Sequence, residues 1–320
     1  GADPDHRFEM DKGADVYWRQ TVKTLPADFT YWYRLDGKTR RADPASPYQP
    51  QGVHGPAKLV DHRTFAWTDA EYQPVALEAY IIYELHIGTF TPQGTFAAAA
   101  ERLAALKEMG ITAVEVMPVA QFPGERNWGY DGTFPYAVQN SYGGPAGFKA
   151  FIDTAHSLGL AVILDVVYNH LGPEGNYLRD FGPYFTGHYN TPWGDAINFD
   201  QAHSDHVRHY FIENALYWLR EYHIDTLRLD ALHAVFDMSA KHFVRELMER
   251  VREQSERLGE THYVIGESDL NDVRLIEPLE QGGCGLDAQW SDDFHHALHA
   301  LLTGEQFGYY QDFGAASDLA

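Results

Sequence analysis

The sequence predicts an α/β chain: a (β/α)8 barrel of the TIM type, represented by about six βα units, behind a stretch of β-structure. Three observations predict it. From residue 77 onward, short apolar runs alternate with amphipathic helical stretches, the pattern of parallel strands covered by helices. Three of those runs end in charged or polar residues that a buried strand otherwise avoids, at the strand ends where barrels carry their chemistry. No glycine-rich phosphate loop follows the first run, which sets aside the doubly wound nucleotide-binding sheet.

Residues 1 to about 76 read as all-β. Ala27–Leu35 alternates into an aromatic strand, and Asp36-Gly37 supplies a turn. The Pro- and Gly-rich stretch from Ala42 to Gly52 is too irregular for a regular element and reads as an ordered linker. The barrel strands are expected at Ile81–Ile87, Ala113–Val119, Ala161–Val167, Thr226–Leu232, Tyr263–Gly266 and Ala288–Trp290. Helices are expected at Phe96–Met109, Phe148–Leu158, Ser204–Tyr222 and Ser239–Leu258. In the first of these, Phe96, Leu103, Leu106 and Met109 recur at helical spacing, and Gly110 stops the run. Six strands are two short of a closed (β/α)8 barrel.

Composition narrows the partners. A formal charge of −22 repels phosphate backbones and anionic lipid, so neither nucleic acid nor a membrane is expected. An aromatic share of 14% suits a surface that stacks on the apolar faces of sugars. The single cysteine, Cys284, has no partner in the chain for a disulfide, which fits a reducing, cytoplasmic setting. No apolar run approaches membrane-spanning length.

The third strand runs into Asp165-Val-Val-Tyr-Asn-His170, the fourth reads Asp225-Thr-Leu-Arg-Leu-Asp-Ala-Leu-His233, and the fifth ends Gly266-Glu-Ser-Asp269. Arg228 and Asp230 are two residues apart in a strand, so they share a face, and Leu227 and Leu229 share the other. With helices outside, the charged pair faces the barrel axis. A guanidinium beside a carboxylate favours its ionised form, which a nucleophile needs. Glu267 ends the neighbouring strand. Parallel strands lie about 4.8 Å apart, close to the roughly 5–5.5 Å between the two carboxyl groups of a retaining glycosidase; an inverting pair stands about 6.5–9.5 Å apart. Asp230 is therefore the candidate nucleophile and Glu267 the candidate general acid/base, a role that requires it to hold a proton.

On these residues the chain resembles the α-amylase family of glycoside hydrolases: Asp165–His170, Leu227–His233 and Gly266–Asp269 are similar to three of its signature regions, in the right order on the right strands. The resemblance implies a retaining hydrolase acting on α-glucans, with Asp230 as nucleophile and Glu267 as acid/base. It places His170, Arg228 and His233 around the sugar being cleaved and the nucleophile, with Asp269 beside them in the third signature. It makes Asp165 a brace for Arg228 and Tyr130, in Asn127-Trp-Gly-Tyr-Asp131, the stacking aromatic beneath that sugar. The family's third carboxylate, on a His-Asp dipeptide after the seventh strand, has no counterpart; Asp292 and Asp293 precede His295 at the sixth strand end and are not given that role.

Longer stretches, Arg41–Ser46, Gln49–Pro56, Tyr83–Phe90, Glu267–Asp272 and Asp287–His296, resemble one branch of that family, whose members cut the α-1,4 bond next to the terminal trehalose unit of malto-oligosyltrehalose and release trehalose. On that resemblance residues 1–76 correspond to the C-terminal part of an N-terminal β-sandwich domain plus linker, and residues 77–320 to the catalytic barrel without its last strands. A glucan branching or debranching enzyme is the alternative within the class, and a non-catalytic α-glucan-binding protein the alternative outside it.

Three further features bear on ligands. The loop from Leu171 to His203 is long and aromatic and leaves the third strand at the catalytic face, so Trp193 is a candidate to line a glucan subsite. His295 and His299 stand at i,i+4 spacing, but the zinc-protease pattern needs a Glu where His296 stands. Asn169 aligns with a calcium ligand of some family members without the further oxygens that calcium wants. No metal and no cofactor is expected.

Overall fold

Residues 6–15, 17–26 and 28–319 are described in a computed structural model. Six parallel strands form one open sheet in which sequence neighbours are spatial neighbours: β1 (Ile82–Leu85), β2 (Ala113–Val116), β3 (Ala161–Val166), β4 (Thr226–Leu229), β5 (Tyr263–Ser268) and β6 (Ala288–Ser291). The covering helices are α1 (Phe96–Ala100), α2 (Leu103–Glu108), α3 (Gly144–Ser157), α4 (Ser204–Tyr222), α5 (Phe243–Leu258) and α6 (Asp292–Thr303). The crossover from β5 to β6 holds only two short 3-10 turns, Val273–Leu275 and Leu279–Gln281.

Period-two alternation sorts the strand residues. Val114, Val162, Leu164, Leu227 and Leu229 face outward into the main core with Phe148, Phe151, Phe211 and Trp218 from the helices. The positions between them face the barrel axis, where Ala113, Ala161, Ile163 and Ile265 make a small apolar cluster. Further along the same strands the axis positions become Glu115, Asp165, Arg228 and Glu267. Charge is confined to the carboxyl end.

Three expected elements are corrected. The helix over Phe96–Met109 is two pieces, because Arg102 N–H bonds the Ala99 carbonyl at 3.0 Å in i→i+3 fashion. That tightening lets Phe96, Ala99, Leu103 and Leu106 all be buried, while Met109 is exposed. The helix expected from Ser239 starts at Phe243, since Asp237 first captures the amides of Ser239 (2.8 Å) and Phe243 (2.6 Å). The fifth strand runs on to Ser268, so Glu267 lies inside the ladder, opposite Trp290 of β6.

Ahead of the barrel lie three antiparallel two-strand ladders: Asp11–Lys12 with Trp18–Arg19, Thr30–Tyr31 with Ala57–Lys58, and Tyr33–Leu35 with Thr39–Arg41. The last closes over the expected Asp36-Gly37 turn, with both residues at positive φ; Ala27, the expected start of that strand, lies outside the described residues. The segment after Arg41 packs on the barrel: Ala42 and Val53 cluster with Phe134 and Ala137, and Tyr210 Oη donates to the Pro44 carbonyl at 2.7 Å. The loop after β3 folds into a hairpin of Phe185–Thr191 and Gly194–Ile197 with Trp193 at its tip.

Candidate active site

The register of the sheet assembles the site. Asp165 of β3 lies opposite Arg228 of β4, and Leu229 lies opposite Gly266 of β5. One step further along, Asp230 and Glu267 stand abreast. Arg228 is the hub. Its Nη1 donates to Asp165 Oδ2 and to Asp230 Oδ1, both at 2.8 Å. Its Nη2 lies 3.7 Å from Glu267 Oε2, and its Nε lies 3.8 Å from Glu115 Oε1. Asp230 is held from three directions, since Asn169 Nδ2 also donates to its Oδ2 at 2.8 Å and to its own carbonyl at 2.8 Å, and its backbone N–H bonds the Val166 carbonyl at 3.1 Å.

Directly after Asp230, Ala231 adopts φ 43° and ψ 56°, a left-handed conformation that a Cβ disfavours. The turn aims the Ala231 N–H at Glu267 Oε2, 2.5 Å away. One strained residue therefore fixes where the strand carrying Asp230 ends and which way the Glu267 carboxyl faces. Both carboxyl groups contact Arg228 from adjacent strands.

Burial and charge set the protonation of the surrounding groups. Burial pushes the Asp165 carboxyl well up, against the pull of Arg228. Burial raises Glu115 to about 7, Arg228 opposing and Glu84 assisting. The Tyr130 hydroxyl is pushed up by burial and then by Asp165, to which it donates at 3.0 Å. Burial holds the His170 imidazole below its usual range, against the charge of Asp230. Glu115 Oε2, Asp165 Oδ1 and Arg228 Nε are buried with no hydrogen-bond partner, so the cluster has polar capacity left unused.

The structure brings most sequence-predicted site residues together. Asp230, Glu267, Arg228 and Asp165 form the centre, with Tyr130 on Asp165. The His170 ring bonds Asn169 Oδ1, and Trp193 stacks on His170 with centroids 4.5 Å apart and planes 8° apart. His233 and Asp269 pair at the rim, Oδ1 lying 3.2 Å from a Nδ1 that lacks a hydrogen-bonding partner. Asn169, aligned above with a calcium ligand, spends its amide on Asp230. His299 bonds Glu305 at 2.8 Å, and no group of side chains suited to a metal ion occurs among the described residues. Sequence reasoning missed Glu115, although its position between Val114 and Val116 in a buried strand marked it as an axis-facing carboxylate.

Six parallel strands with two carboxylates gathered on one guanidinium at their carboxyl ends define an open βα barrel sheet with its charge at the face where such folds carry chemistry. The chain belongs to the α-amylase family of glycoside hydrolases: residues 60–190 match the alpha amylase catalytic domain. It is similar to a malto-oligosyltrehalose trehalohydrolase of Saccharolobus solfataricus, at 51% identity over 98% of this chain and 54% of that protein. A 1,4-alpha-glucan branching enzyme of Bacillus caldolyticus is 31% identical over 86% of this chain and 45% of its own length. Among solved structures, a putative alpha amylase from Salmonella typhimurium superposes with a TM-score of 0.88 at 43% identity, covering 97% of this chain and 53% of that one. The chain thus spans about half the length of the relatives it matches.

Proposed function

We propose that this protein is a retaining glycoside hydrolase that cleaves the α-1,4-glucosidic bond next to the terminal trehalose unit of malto-oligosyltrehalose, releasing trehalose. The observation that carries the reading is the shared guanidinium: Arg228 touches Asp230 and approaches Glu267, so two carboxyl groups from adjacent strands face one another, the arrangement a double displacement uses. In the first step an Asp230 oxygen attacks the anomeric carbon while Glu267 gives its proton to the departing glycosidic oxygen. The carbon–oxygen bond to trehalose breaks and a glycosyl ester on Asp230 forms. In the second, Glu267 takes a proton from water, the water oxygen bonds the anomeric carbon, and the Asp230 carboxylate is released. Arg228 holds Asp230 in place through its 2.8 Å hydrogen bond, and Tyr130 and His170 border the sugar.

Trehalose specificity is supported by the higher identity to the trehalohydrolase than to the branching enzyme. Offering malto-oligosyltrehalose and the plain malto-oligosaccharide of equal length tests it. Release of trehalose is expected; new α-1,6 branches favour the branching reading. Binding of glucan with every activity indifferent to Glu267→Gln favours a non-catalytic role. We place Trp193 at a glucan subsite, so Trp193→Ala raises KM for long substrates, and a KM unchanged at every length removes it. Residues 1–76 are read as the end of a β-sandwich domain with its linker. A cytoplasmic setting is supported by the single cysteine; no helix among the described residues is long and apolar enough to cross a membrane.

A further inference from the structure

Trp128 is 66% exposed, yet the turn that carries it is pinned on both sides. Asn127 Oδ1 accepts the backbone N–H of Gly129 at 2.7 Å and of Asp131 at 3.3 Å, and Asn127 Nδ2 donates to Asp131 Oδ2 at 2.8 Å. His86, the residue after β1, donates from Nε2 to the Asn127 carbonyl at 2.8 Å. Gly129 sits at φ +106°, so tight against the chain after β2 that a Cβ would come within 2.3 Å of the Pro118 carbonyl oxygen. A rigid turn therefore sends two neighbouring rings to different places: Tyr130 inward to Asp165, Trp128 outward over the end of β1, its ring 5.5 Å from that of His86.

The indole lies over β1, an edge strand of the open sheet, and among the described residues its one ring contact is with His86. Held by a rigid turn at the catalytic face, it offers a flat apolar surface and one N–H donor. That combination suits the apolar face of a sugar ring and one of its hydroxyls. β1 lies three interstrand steps from β4, about 14 Å along the sheet, so the strand end that Trp128 covers is set apart from the strand of Asp230, and Trp128 contacts His86 whereas Trp193 stacks on His170.

Resting on the function proposed above, we propose that Trp128 is a stacking platform for a glucosyl unit remote from the scissile bond, and that it makes cleavage depend on glucan length. The test is a length series of malto-oligosyltrehaloses offered to the full protein and to its Trp128→Ala and Trp128→Phe variants. For substrates long enough to reach the ring, Trp128→Ala raises KM about tenfold, with a much smaller change in kcat. The shortest substrates show no such penalty, and Trp128→Phe recovers most of the loss. In a Glu267→Gln, Trp193→Phe protein, the longest substrate quenches tryptophan fluorescence, and adding Trp128→Ala removes most of that quenching. A mutant-to-parent KM ratio that is the same at every length overturns the proposal. A parent that cleaves plain malto-oligosaccharides but frees no trehalose overturns the function instead, and the same series on those substrates still decides on Trp128.

Discussion

At the amino end of β4, Asp225 is saturated with hydrogen bonds; at the carboxyl end of the same strand, Asp230 shares one guanidinium with Asp165, Glu267 and Glu115. The lower site is closed. Asp225 accepts from Tyr72 Oη at 3.0 Å, from the Val162 amide at 2.7 Å and from His156 Nε2 at 3.0 Å. His156 spends its other nitrogen on Asp69, which also accepts from His223, and Tyr72 stacks on the imidazole at 4.0 Å. The upper site has more charges and unpartnered buried atoms. A satisfied buried network fixes a shape; an under-satisfied one holds interactions in reserve for something that is not part of the chain. In barrels the same division falls between the stabilising and the reactive face.

Breaking the upper site should cost activity far more than stability. Asp230→Asn and Glu267→Gln are each expected to lower kcat by about 10^4-fold with little change in melting temperature; a variant with near-parental turnover would detach that residue from the chemistry. Breaking the lower site should do the reverse. His156→Gln leaves Asp225 without its cation and Asp69 with His223 alone, and should lower unfolding free energy by about 3 kcal/mol, with parental kcat per folded molecule. Burial opposes the charge of His156, but Asp225 and then Asp69 outweigh it and hold its pKa above the usual 6.5. Its stabilisation is therefore complete below about pH 6.5 and lost as pH rises through the raised value. Urea midpoints across that range should fall in the parent and stay flatter in the variant.

A smaller effect separates Glu115 from its neighbours. With a pKa raised from 4.5 to about 7 by burial, it binds its proton more tightly in the fold than in the unfolded chain. Its contribution is complete below about pH 4.5 and disappears as pH climbs to about 7. Glu115→Gln should remove roughly 2 kcal/mol of that decline, and an identical pH slope in both proteins would show that Glu115 titrates elsewhere. The smallest effect belongs to Ala231→Gly. Relief of the left-handed conformation is offset by greater freedom of the unfolded chain, so stability should move by less than about 1 kcal/mol. A fall in kcat beyond that scale would reveal how far the strained turn aims the Glu267 carboxyl.

The centre of the site was legible because it is written in strand period and order. Arg228 and Asp230 had to share a face, and Glu267 had to stand on the next strand, whatever the loops did. The brace from Asp165, implied by the family resemblance, is seen in its 2.8 Å bond from Arg228. What was not legible depends on backbone geometry without a periodic signal. Nothing in Asp230-Ala-Leu announces a left-handed alanine, because alanine is not a residue that seeks that conformation. The break at Glu101–Arg102 hides in a stretch of strong helix formers, where tertiary burial rather than propensity decides. The outward aim of Trp128 depends on a contact between Gly129 and Pro118 that separation in sequence conceals. The stack of Trp193 on His170 needs a hairpin whose sequence, rich in polar and aromatic residues, reads only as loop.

The stereochemistry of cleavage tests the central claim most directly. Proton NMR of the first product, recorded before the sugar ring reopens and mutarotates, reads the configuration of the new reducing end. Asp230 and Glu267 facing one linkage from adjacent strands predict the α-anomer first. A β-anomer in the earliest spectra would require room for a water between the two carboxyl groups, and would contradict the account.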